Sequence, residues 1–176
     1  MGIFVIAIIV LIGVDQVVKY IASTNWINGE IQNAILNLTY YENSFMIGNI
    51  SFNWLLVIIS IILIIAFVLF FLNQYTKRVR TRMNLVIFTL IIAGGISNLI
   101  DRIARGFVID YVELNYFLEG IVFNLADVFI VVGIILLIGM YAITITDDNV
   151  KMVNEGEEYV QNKSTKQWFR ELFKNR

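Results

Sequence analysis

Residues 52–72 read FNWLLVIISIILIIAFVLFFL, and no side chain among them is charged. An α-helix rises about 1.5 Å per residue, so this stretch reaches roughly 30 Å, the depth of a bilayer's hydrocarbon core. It is a membrane-spanning helix, and it decides the fold class. Three further stretches of similar length and character flank it, at 3–22, 85–102 and 125–145. The 176-residue chain is 59% hydrophobic and only 15% charged, whereas a soluble domain carries about a quarter charged residues. The expected architecture is an all-α polytopic membrane protein with four transmembrane helices. Its four-helix transmembrane body spans 1–146, with long loops at 23–51 and 103–124, a short polar connection at 73–84 and a tail at 147–176.

Composition narrows the chemistry. Cysteine, histidine and proline are absent. Disulfides, thiol nucleophiles, thiolate metal sites and histidine relays are therefore excluded. The net charge of −1 argues against nucleic acid as a partner. Carboxylates, hydroxyls, amides, Lys and Arg remain, and neither a metal nor an organic cofactor is expected.

The first span ends in Asp15, Gln16 and Lys19, not in a small-residue cleavage site, and so reads as a retained helix. Lys77, Arg78, Arg80 and Arg82 fill the short connection, and six further cations lie in the tail. The 23–51 loop has no Lys or Arg, and 103–124 has Arg105 alone. The positive-inside rule then places both termini in the cytoplasm and both long loops outside.

On that topology Asp15, Lys19, Asp101, Arg102, Asp110 and Asp127 gather near the outer interface, with Gln16, Asn43, Asn98 and Asn124. A charge near a helix centre costs about 2.5–3.5 kcal/mol to insert, so such a cluster implies function or mutual pairing. Asp15 and Lys19 lie four apart and share a helix face, as expected for an ion pair tethering the first helix. Arg102 has two candidate partners, Asp101 and Asp15. Gly94 and Gly95 offer a face for close helix packing. Asn124 and Asp127 have the spacing of a helix cap and its third residue. Asp110, by contrast, follows the apolar run Phe107–Val108–Ile109, an unusual place for a solvated carboxylate. If Asp110 and Asp127 approach one another, one of them holds a proton, and such a pair can activate water against a peptide bond without His, Cys or metal. Placed at a helix N-terminus, Asp127 is the expected carrier of the charge and Asp110 of the proton.

The stretches VDQVVKY (14–20), YEN (41–43), GGISNLIDR (94–102), GFVIDY (106–111) and FNLAD (123–127) together resemble the lipoprotein signal peptidase family, bacterial signal peptidase II. The resemblance covers about residues 10–146. It implies a membrane aspartyl endopeptidase that cleaves diacylglyceryl-modified prolipoproteins just before the lipidated cysteine, at the outer face of a bacterial cytoplasmic membrane. It implies Asp110 and Asp127 as the catalytic pair. Asp15, Lys19, Asn43, Gly94, Asn98, Asp101, Arg102, Asn124 and Ala126 fall on its supporting and substrate-binding positions. A small extracytoplasmic β-cradle is implied within 33–53, with membrane lipids as neighbours and a monomer as the working unit. The sequence departs from the family at 44–48, where Ser-Phe-Met-Ile-Gly is shorter and bulkier than the usual small-residue stretch, and at Ser97, where the family often has Gly.

Two other functions compete. A Ser/Lys protease would use Lys19 with Ser44 or Ser97, although Asp15 one turn earlier disfavours a neutral lysine. A non-catalytic helical adaptor would need none of the carboxylates. In the tail, 147–158 has net charge −4 and 163–176 net charge +4. Trp168 with Leu172, and Phe169 with Phe173, give the latter the pattern of a basic amphipathic helix at a membrane surface.

Overall fold

The computed structural model describes residues 2–26, 31–32, 36–44, 46–47, 50–51, 53–76, 82–114, 121–143 and 165–167. In chain order the elements are α1 (Gly2–Asn25), β1 (Ile31–Gln32), β2 (Leu36–Asn43), β3 (Met46–Ile47), β4 (Ile50–Ser51), α2 (Asn53–Thr76), α3 (Arg82–Arg105), β5 (Val108–Leu114) and β6 (Ile121–Phe123). A last helix, α4, covers Leu125–Ile143. All four helices are long and apolar enough to cross a membrane. The chain forms two compact units, one ending at Ile135 and the other beginning at Leu136. In the second unit the described residues are the end of α4 and an exposed helical turn at 165–167. The remainder of the tail, with its expected amphipathic helix, lies outside the described residues.

Within the first unit α3 packs against both α1 and α2. Its buried face carries Leu85, Ile87, Thr89, Ile92, Ala93, Gly94, Ser97, Asn98 and Asp101. Phe88 of α3 stacks on Phe67 and Phe71 of α2, with ring centroids 6.0 and 4.1 Å apart. The burial of α1 is inverted relative to a soluble helix. Asp15, Lys19 and Ala22 are its buried residues, while Ile3, Val5, Ile6, Ile9 and Val10 are exposed. Lipid solvates aliphatic side chains as well as a protein core does, so the polar face is the one that must be enclosed.

α3 and α4 meet at glycine. A Cβ added to Gly94 would lie 2.3 Å from the Ala126 carbonyl oxygen, and one added to Gly133 would lie 2.5 Å from Ile91 Cγ1. α3 stops at Gly106, whose φ of +82° lets its N–H close back on the Arg102 carbonyl at 3.2 Å. This is a left-handed cap that a residue with a Cβ adopts at a cost.

The chain then enters an antiparallel sheet of order β1-β2-β5-β6, and β3 pairs with β4 as a separate ribbon. The β-cradle is thus broader than expected, beginning at Ile31 and drawing half of its main sheet from the second loop. The reason lies in β5, where Val108, Ile109, Asp110 and Tyr111 are all buried. Such a run needs cover on both faces, and α1 and α3 both contact it. Ile109 and Tyr111 form a small core with Ala22, packed by Val18, Trp26, Tyr40, Phe107, Val112 and Leu125. β2 and β5 shift register between Leu38, opposite Val112, and Tyr41, opposite Asp110. Thr39 and Tyr40 together face Tyr111 there, as in a bulge, and the shift resets the face that residues 41–43 present.

Candidate active site

All eleven residues singled out from the sequence meet where α1, α3, β2, β5 and the start of α4 converge. Asp110 sits in β5, and its two carboxylate oxygens accept from two asparagines. Asn43 Nδ2 donates to Oδ2 at 2.8 Å, and Asn124 Nδ2 to Oδ1 at 2.6 Å. Asn43 pairs with Val108 in register, so Asp110 is its diagonal neighbour on one face of the sheet. Asp127 lies on the first turn of α4. Asn98 Nδ2 donates to its Oδ1 at 2.7 Å, and the Asn124 backbone N–H to its Oδ2 at 3.2 Å. The Asp127 N–H returns a bond to Asn124 Oδ1 at 3.0 Å. The expected helix cap is therefore present, and Asn124 is at once the cap of α4 and a donor to Asp110. It touches both acids.

Burial pushes the Asp110 carboxyl up to about 6, and the charge of Asp127 adds to the rise; the Asn43 and Asn124 amides and Lys19 oppose it.

Behind this pair lies a buried charge network. Lys19 Nζ is 2.8 Å from Asp15 Oδ2 and 2.8 Å from Asp101 Oδ2, and it donates to Asn98 Oδ1 at 2.9 Å. Lys19, Asp15 and Asp101 are all fully buried. Arg105 pairs with Asp101 on the other side. Asp15, Lys19, Asp101 and Arg105 sum to zero charge, which is how such a cluster survives in a low dielectric. Asp101 also accepts from the Ile109 N–H at 3.4 Å, tying β5 to α3. Asp15 Oδ1 accepts from the Ala126 N–H at 3.0 Å, tying α1 to α4.

Arg102 pairs with neither Asp101 nor Asp15. It donates to the Asn98 carbonyl at 3.4 Å and lies within electrostatic reach of Asp127, Asp110 and Asp101. Its Nε is buried with no hydrogen-bond partner among the described residues. The partner of Asp101 is instead Arg105, one helical turn on, a spacing that could have identified it.

Three more residues belong to the network. Gln16 Nε2 reaches Asp101 Oδ1 at 3.0 Å and Ser97 Oγ at 3.1 Å. Ser97 Oγ donates to Asp15 Oδ2 at 2.6 Å. The Tyr111 hydroxyl accepts from the Leu125 N–H at 3.0 Å. These bonds do not suit a Ser/Lys pair of Lys19 and Ser97: Lys19 is held between two carboxylates, and Ser97 donates to Asp15, not to Lys19.

The fold and site define a polytopic membrane protein in which two carboxylic acids, one on β5 and one at the start of its last described spanning helix, are both held by Asn124. A family model described as "Signal peptidase (SPase) II" matches residues 6–143, and the chain belongs to the signal peptidase II family. It is 38% identical over 138 residues to the lipoprotein signal peptidase of Clostridioides difficile (strain 630), covering 76% of this chain and 90% of that protein. The lipoprotein signal peptidase of Streptococcus thermophilus (strain CNRZ 1066) is 36% identical over 138 residues, 76% of this chain and 88% of its own. Among solved structures, a bacterial membrane enzyme determined in meso at 2.3 Å superposes with a TM-score of 0.65 at 29% identity, covering 81% of this chain and 88% of that one. A second, at 1.9 Å, gives 0.63 at 28% identity, with 80% and 93% covered. The chain is accordingly a multi-pass membrane protein of a peptidase family.

Proposed function

We propose that this chain is an aspartic endopeptidase that removes the signal peptide from diacylglyceryl-modified prolipoproteins, cleaving before the lipidated cysteine. The observation that carries the reading is that Asn124 joins Asp110 and Asp127, one of which is raised toward protonation by burial and by the other. A non-catalytic adaptor would have no use for a coupled acid pair fixed by asparagines on every side.

In the proposed reaction, water lies between the two acids. Asp127, which accepts two N–H donors at the start of α4, carries the charge and takes a proton from the water. The resulting hydroxide adds to the scissile carbonyl carbon while Asp110 gives its proton to the carbonyl oxygen. The tetrahedral diol collapses as the proton on Asp127 passes to the departing cysteine nitrogen. The C–N bond breaks, and the carboxyl product returns a proton to Asp110. Asn98 and Asn124 do not titrate, and they orient the acids. The partly exposed Arg102 guanidinium, within electrostatic reach of both acids, is placed to meet a substrate carbonyl.

The distribution of Lys and Arg supports cytoplasmic termini and a site at the outer face. The substrate brings its own anchor, each buried CH₂ of its acyl chains adding roughly 0.8 kcal/mol. Incubating the purified, reconstituted protein with lipidated prolipoprotein tests the proposal. Mass spectrometry should find a signal peptide and a product beginning at the lipidated cysteine. An intact substrate, or cleavage elsewhere, contradicts it.

A further inference from the structure

The first three N–H groups of α4 have no partner within the helix, and each is met by a different element. The Leu125 N–H donates to the Tyr111 hydroxyl at 3.0 Å, the Ala126 N–H to Asp15 Oδ1 at 3.0 Å and the Asp127 N–H to Asn124 Oδ1 at 3.0 Å. Tyr111 is buried, and its hydroxyl accepts from the Leu125 N–H while lying within electrostatic reach of Asp15. Its ring is fixed by packing on Trp26, with centroids 6.0 Å apart, and on the Ala22–Ile109 core. One hydroxyl thus ties β5 to the very end of the helix that carries Asp127, from the residue that follows Asp110.

We infer that Tyr111 is a positioning residue: through the Leu125 amide, its hydroxyl sets where the first turn of α4 places Asp127 relative to Asp110. Burial keeps the phenol protonated far above neutral pH, so the hydroxyl stays neutral across the working range. The inference rests on the reading of Asp110 and Asp127 as the reacting pair. It concerns how they are held, not what they do.

The test compares full-length parent, Tyr111→Phe and Asp127→Asn on a lipidated prolipoprotein peptide, with turnover referred to folded protein. Tyr111→Phe removes one oxygen and keeps the ring. It should lower kcat on the order of ten-fold, since a small misplacement of a reacting group is costly. KM should stay within about two-fold, since no substrate contact is lost, and the pH profile of kcat should move. A purely structural hydroxyl would lower the thermal midpoint but leave the profile and the turnover of folded protein unchanged, and that result overturns the inference. If Tyr111→Phe does not fold, 3-fluorotyrosine at 111 decides. It keeps the packing while making the hydroxyl a stronger donor and weaker acceptor, so the profile should shift at an unaltered thermal midpoint. An unshifted profile overturns the inference. An inactive Asp127→Asn beside a parental Tyr111→Phe overturns the positioning role alone. A fully active Asp127→Asn overturns both readings.

Discussion

Lys19 of α1 donates to Oδ1 of Asn98 of α3 at 2.9 Å, and this bond decides which way the Asn98 amide faces. With its oxygen held by the ammonium, the amide must present Nδ2 to Asp127, as it does at 2.7 Å. Lys19→Met should therefore act twice. It leaves Asp15 without its cation and Asp101 with Arg105 alone, both acids being fully buried, at a cost of about 3–5 kcal/mol. It also frees Asn98 to turn. Unfolding in detergent should show the loss of stability, and a variant within 1 kcal/mol of the parent, to order of magnitude, would contradict the account.

Gly94→Ala should separate α3 from α4. The added methyl would lie 2.3 Å from the Ala126 carbonyl oxygen and 2.8 Å from Ile130 Cγ1, and backbone cannot yield cheaply. Overpacking of this kind costs about 1–3 kcal/mol, and because Ala126 precedes Asp127 the turnover should fall as well. Gly95→Ala is the comparator, its methyl meeting Ile64 at 3.4 Å, an ordinary contact. Thermal unfolding and turnover of both variants check the difference.

Asn124 combines capping and amide donation, and Asn124→Ser separates them. Serine is as good a cap as asparagine, whereas alanine loses about 1 kcal/mol. Serine lacks the amide that reaches Asp110. Stability near the parent's with turnover lowered on the order of 10²-fold is the expected outcome. Turnover that tracks stability through both variants would reduce Asn124 to a cap.

Much of this was legible in the chain. The four spans follow from length and apolarity, and the Asn124–Asp127 cap and the Asp15–Lys19 pair follow from helical spacing. What escaped was set by contacts distant in sequence. Tyr111 stands in an apolar strand beside Asp110 and looks like core, because its hydroxyl's partner, the Leu125 N–H, lies on another element. Gln16 and Ser97 join across 81 residues. The two arginines near the end of α3 look alike in composition. Only the four-residue step from Asp101 to Arg105 distinguishes the ion-paired one. The second half of the sheet fell outside the expected 33–53 cradle because β5, buried on both faces at its start, lacks the alternation that marks a strand.

The elevated Asp110 carboxyl gives a pH dependence of definite sign. Its value rises from 3.8 to about 6 in the folded protein, so the folded state holds a proton that the unfolded chain releases earlier. The resulting stabilisation is complete below the unfolded value and is lost as pH rises through about 6. Unfolding measured between those limits should show the parent losing stability toward higher pH, and Asp110→Asn should flatten the slope. If the proton is the one used in turnover, kcat/KM of the parent should decline on the same limb. A slope that survives in Asp110→Asn would assign it to another group.

The central claim is that Asp110 and Asp127 divide one catalytic proton. Cleavage of a lipidated prolipoprotein by purified Asp110→Asn and Asp127→Asn measures it most directly, because each substitution keeps the side chain's size while removing the ability to exchange that proton. Each variant should lose on the order of 10³-fold in turnover while remaining folded, as expected for deleting an acid or base from the reacting centre. Near-parental turnover in either one would contradict the paired-acid mechanism.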